Sequence, residues 1–141
     1  MVVMLPLLLI FLLGVVSGVR TFTGPAVFWI MRHGGPWAYV LSGAAVFEYF
    51  YDVHPTAPPR TCTSNIAARL LSGAFVGWWG AVASGVSTPS GTIAGAVGAF
   101  VGAYGSAAVR RRCITMIGNV ASGLLEDIAV IVAAVVIVAR L

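Results

Sequence analysis

GTIAGAVGAFVGAYG, residues 91–105, places glycine at 91, 95, 98, 102 and 105, a spacing of four, three, four, three. That is a heptad seam with glycine where leucine would usually stand. In water each such glycine costs a helix about 1 kcal/mol relative to alanine. In lipid the backbone must bond to itself anyway, and small residues let two helices approach closely. The stretch therefore reads as a membrane helix whose glycines form a packing face; the sharper alternative is a smooth wall along a solute path.

The preceding apolar segment, from Asn65 to about Ser84, carries Gly73, Gly77, Gly80 and Ser84 with the same four, three, four spacing. Two matched small-residue stripes joined by the short VSTPSGT connection predict an antiparallel pair in close contact. Gly91, Gly95, Gly98, Gly102 and Gly105 on one helix and Gly73, Gly77 and Gly80 on the other are its packing residues.

Composition agrees with this reading. Apolar residues make up 60% of the 141 residues and charged residues only 9%, with a mean hydropathy of +1.00, far from the soluble norm. A single integral membrane domain over residues 1–141 is expected, all-α, a polytopic transmembrane bundle of about six hydrophobic segments. The net charge of +4 comes from arginines alone. So sparse a set reads as loop arginines at a phosphate-rich membrane surface and not as a nucleic-acid footprint. Cys62 and Cys113 are too few and too far apart for a zinc motif or a disulfide framework, and no cofactor is implied.

The remaining segments follow from the breakers. A first apolar run from Val2 to about Ser17 lacks a basic n-region and a small-x-small cleavage site, so it reads as a retained helix. It breaks at SGVRTFTGP, where Thr23 can cap a second, short helix with Pro25 in its first turn. Trp37 to Val53 is the third segment, followed by a stiff Pro-rich loop. The fifth helix is expected to end at Arg110-Arg111-Arg112, and the sixth runs from about Asn119 to Ala139. The positive-inside rule puts the loop over residues 54–64 and Arg110 to Arg112 on the cytoplasmic side of an inner membrane, with both termini outside. Both thiols share that side and are expected reduced. A weak echo, Arg20-x3-Gly24-x2-Val27 against Arg69-x3-Gly73-x2-Val76, does not align as an inverted repeat.

All four acids of the chain lie in or at hydrophobic segments: Glu48 and Asp52 on the third, Glu126 and Asp127 on the sixth. Glu48 and Asp52, four residues apart, share a helix face. Counted from the cytoplasmic ends, Glu48 and Glu126 both lie roughly 8 to 10 Å deep. A charge in hydrocarbon costs at least about 2.5 to 3.5 kcal/mol by insertion scales, so these groups should face inward and pair. One cluster is expected: Glu48, Asp52, Glu126 and Asp127 opposed by Arg20 and Arg69, with Arg60 at its mouth. It binds an ion or small polar solute, or it is a set of ion pairs that only fixes helix register.

At these residues the chain resembles the domain of unknown function 4126 family of small bacterial integral membrane proteins. The matching pieces are GVRTFTGPA (18–26), Glu48-x3-Asp52-x2-Pro55 with Pro58, Pro59 and Arg60, ARLLSGA (68–74), the glycine helix with its basic end, and LLEDIA (124–129). Val53 departs from similar sequences, which often have lysine there. The resemblance implies a multi-helix membrane fold and no established activity.

Three functions compete. A transporter or channel would show a polar path. A membrane-embedded metal enzyme acting on a lipid phosphate would gather the four acids around a divalent cation, with Arg60 and Arg110 to Arg112 receiving the phosphate at the cytoplasmic surface. A scaffold would show a dry, salt-bridged core. The first is preferred, with the lipid bilayer and a solute as partners, no nucleic acid, and a homodimer as the expected assembly.

Overall fold

The computed structural model describes residues 4–54, 56–58 and 62–141; Arg60 and the prolines at 55 and 59 lie outside them. The described residues form six helices and no strand: α1 (Met4–Val19), α2 (Thr23–Arg32), α3 (Pro36–Val53), α4 (Thr63–Ser84), α5 (Thr88–Ile117) and α6 (Asn119–Arg140). Three of them, α4, α5 and α6, are long and apolar enough to cross a membrane; α1 is a shorter apolar helix. Fewer than six clear spans are therefore present, because the broken first stretch gives α2 only 10 residues, about 15 Å of rise against a hydrocarbon core of about 30 Å.

Glycine decides which helices meet. A Cβ added at Gly95 would strike the Gly73 carbonyl and stand 2.8 Å from Gly77 Cα, and one at Gly77 would strike the Gly91 carbonyl. On its other side α5 meets α1: a Cβ at Gly98 would strike the Phe11 carbonyl, and one at Gly102 the Val15 carbonyl. Gly14 and Gly18 of α1 answer with Gly95 and Ala99. The close contact is thus among three helices, α1, α4 and α5, and not within one antiparallel pair. Two expected packing glycines behave differently. Gly80 faces the Ile10 side chain, and a Cβ at Gly105 would meet nothing within 4 Å.

Around this trio the apolar core joins Leu13 and Val16 of α1, Phe28 of α2, Val76 of α4 and Val130, Ala134 and Val138 of α6. Among the described residues, α3 packs by backbone approach only against α2 and α6. Open apolar clefts of about 270 and 290 Å3 separate it from α4, the first lined by Phe22, Leu41, Leu71 and Phe75 and the second by Trp29, Trp37, Leu41 and Phe75. Trp79 packs edge-on to Trp29 with ring centres 5.3 Å apart, whereas Trp78 is half exposed.

The fifth helix does not end at its three arginines. It continues to Ile117 and stops at Gly118, whose φ of 84° turns the chain into α6. Arginine is a good helix former, and Arg110 is buried against α6 instead of marking a surface loop.

Candidate functional site

The site is built on the interruption between α1 and α2, residues 20–22. A helix break inside a bundle leaves carbonyls at the end of one helix and amides at the start of the next without intrahelical partners. Here neighbouring helices supply them. Arg69 of α4 donates through Nη1 to the Gly18 carbonyl and, at 2.6 Å, to the Val19 carbonyl. The Ser72 hydroxyl donates to the Thr21 carbonyl. Glu48 of α3 accepts from the Thr21 amide at 2.8 Å and the Phe22 amide at 3.0 Å, one with each carboxylate oxygen. A cation thus closes the negative end of α1 and an anion the positive end of α2, the arrangement helix dipoles favour. Thr23 does not cap α2 as its sequence position suggests; its hydroxyl shares a 2.9 Å hydrogen bond with the Tyr49 hydroxyl.

Arg20 sits in the break itself and is wholly buried. Its Nη1 donates to Asp52 Oδ2 of α3 at 2.6 Å, and its Nη2 forms an ion pair with Asp127 Oδ1 of α6. The Tyr49 ring lies 5.0 Å from the guanidinium carbon, within cation–π range. Arg20 Nε is buried without a hydrogen-bond partner among the described residues. One side chain thus ties the break to two helices that have little other contact with each other. Beside it a pocket of about 150 Å3 has Glu48, Tyr51, Asp52, Asn65 and Arg69 on its walls.

The expected single cluster is in fact two groups. Arg20, Glu48, Asp52, Arg69 and Asp127 gather at the break. Glu126 belongs elsewhere: its Oε2 accepts from Arg110 Nη1 at 3.0 Å, while Arg110 Nη2 donates to Asn119 Oδ1, also at 3.0 Å. Successive residues of a helix point about 100° apart, so Glu126 and Asp127 serve different neighbours. Arg60, expected at the mouth, lies outside the described residues. Ser72 and Tyr49 complete the first group and Arg110 the second, none of them expected in the cluster; the i, i+3 spacing of Arg69 and Ser72 is the sequence signal for the first. Among the described residues no three of His, Cys, Asp and Glu gather as a metal-ligand set.

Outside the helices, Cys62 is exposed and its Sγ lies 3.7 Å from the Ser64 hydroxyl. Hydrogen bonds from Ser64 favour the thiolate and pull its pKa below the ordinary thiol value. Alkylation requires the thiolate, so the rate should climb at lower pH than for an ordinary thiol. Ser64→Ala is expected to shift the rate–pH midpoint of Cys62 upward, read by iodoacetamide trapping and peptide mass analysis; an unmoved midpoint would remove the assigned cause.

Comparison of the chain with protein-family models, with curated proteins and with solved structures finds no match. The class defined by fold and composition is an all-helical chain with three helices able to cross a membrane.

Proposed function

We propose that this chain is a small integral membrane transporter or channel that passes an ion or small polar solute by way of the centre at the α1–α2 break. The observation that carries this reading is the buried Arg20, held between Asp52 and Asp127 on two different helices beside a pocket of about 150 Å3 that Glu48, Asp52 and Arg69 line together with Phe22 and Phe47. Ionisable groups within membrane helices are costly and mark solute or proton pathways. Interrupted helices are how many transporters bring helix ends to a substrate.

The packing supports movement as well as binding. α1, α4 and α5 approach backbone to backbone, whereas α3 stands off from α4 across apolar clefts. Exchange of the Arg20–Asp52 contact for a contact with solute would loosen α3 from the break, a coupling of occupancy to conformation. In this proposal the chain lies in an inner membrane as about six hydrophobic segments, its loop over 54–64 and Arg110 to Arg112 face the cytoplasm, and its resemblance to the domain of unknown function 4126 family stands on the quoted motifs.

The test is reconstitution into liposomes holding pH- and cation-sensitive dyes under imposed H+, Na+ and K+ gradients. A protein-dependent flux is expected, falling about tenfold or more in Asp52→Asn, the effect of losing roughly 1.4 kcal/mol at the site. Absence of flux for all three ions overturns the reading for these cations, and flux indifferent to Asp52→Asn removes the α1–α2 break from the path.

A further inference from the structure

Three side chains in the last two turns of α3 hold that helix to the α1–α2 break. Glu48 accepts from the Thr21 and Phe22 amides, Tyr49 shares its hydrogen bond with the Thr23 hydroxyl, and Asp52 accepts from Arg20. The opposite end of α3 is held differently. Among the described residues its first two turns make no side-chain hydrogen bond to another helix, and Trp37, Tyr39 and Val40 there are exposed.

At that end α3 joins α2 through Gly34 and Gly35, with φ of 66° and 76°, and a Cβ on either would meet nothing within 4 Å. Glycine takes positive and negative φ about equally readily, so the link can change direction at little cost, as hinges do. Toward α4 the helix faces the two open clefts, both lined by Leu41 and Phe75, instead of backbone. The helix is therefore built as a lever, with a pivot at one end and a polar catch at the other.

We infer that α3 is a gate over the Arg20 centre, pivoting at Gly34–Gly35 and let go as one unit when its catch opens. It supplies half of the eight residues that line the 150 Å3 pocket beside the break, Phe47, Glu48, Tyr51 and Asp52, so its departure opens that pocket. The same movement takes Glu48 off the Thr21 and Phe22 amides. Asp52 touches neither amide, which makes the joint release measurable. As a gate α3 rests on the transport reading; as a lever it does not.

Residue-resolved amide hydrogen exchange of the full-length protein in detergent tests it, because sub-global opening exposes the amides that the opening unit covers. Asp52→Asn should speed exchange at Thr21 and Phe22 roughly tenfold, within the coupling range for residues of one network, while the amide of Ala99 in the packed middle of α5 keeps its rate. If that variant does not fold, Tyr49→Phe, which removes the hydroxyl bonded to Thr23, should act in the same direction. Tethering α3 to α4 by cross-linking L41C to F75C across the clefts, with Cys62 and Cys113 replaced by Ser, should cancel the gain. Exchange at Thr21 and Phe22 that is unmoved by the folded variant, that rises together with that of Ala99, or that stays fast in the tethered protein would each overturn the inference. No gradient enters the measurement, so absence of ion flux leaves the lever standing, and an immobile α3 does not by itself remove transport.

Discussion

Arg20→Gln is expected to destabilise the protein by about 3–5 kcal/mol, the range for removing one partner from a buried charge network. The wild-type guanidinium is wholly buried and holds Asp52 and Asp127, which are themselves only slightly exposed. Glutamine removes the cation that bridges the carboxylates of α3 and α6. The desolvation cost of those charges, and not the lost attraction alone, sets the size of the effect. Thermal unfolding in detergent measures it. R20Q/D52N/D127N should recover much of the loss, because a set of neutral groups removes the stranded charge. Arg20→Gln within about 1 kcal/mol of wild type would show that the centre is wetter and weaker than its geometry implies.

The second large effect is steric. Gly95→Ala should cost at least about 2–3 kcal/mol, the upper part of the range for overpacking a filled core, because the added carbon meets backbone on α4 and not a side chain that can swing away. Gly105→Ala, ten residues along the same helix and facing open space, should be neutral or stabilising by about 0.5–1 kcal/mol. Thermal unfolding and size-exclusion profiles of the two variants side by side provide the check. Equal behaviour would contradict the backbone-to-backbone contact of α4 with α5 at Gly95.

The contrast between these two glycines also shows what the sequence could and could not convey. A four-three repeat reports which residues share a helix face, so Gly91, Gly95, Gly98 and Gly102 were legible as one seam. It does not report where a neighbouring helix stops covering that face, and Gly105 lies past that point. Nor does it say how many partners the seam has. Gly14 and Gly18 of α1 carry the same small-x3-small signal, which went unread beside the longer glycine runs.

The charged residues divide in the same way. Depth along a helix follows from counting residues, and it put Glu48 and Glu126 at one level. Direction around the axis depends on how each helix is turned in the bundle. That turn sends Asp127 to Arg20 and Glu126 to Arg110. The break at residues 20–22 was announced by Gly18, Gly24 and Pro25. Its closure by Arg69 and Glu48 was not, because the two residues lie 49 and 27 positions away from Arg20 and Thr21 in the chain. Three arginines in a row read as a membrane exit, yet α5 stays helical for seven residues beyond Arg110, whose partner Glu126 lies on α6.

The claim on which the rest depends is that Arg20 bonds to Asp52 and Asp127 and that Glu126 belongs to a separate pair. Double-mutant cycles on thermal unfolding free energies test it directly, pairing Arg20→Gln in turn with Asp52→Asn, Asp127→Asn and Glu126→Gln. Coupling of about 1–3 kcal/mol is expected with each aspartate and less than about 0.5 kcal/mol with Glu126. Coupling absent from both aspartates, or as strong with Glu126 as with either, would contradict the two-centre arrangement.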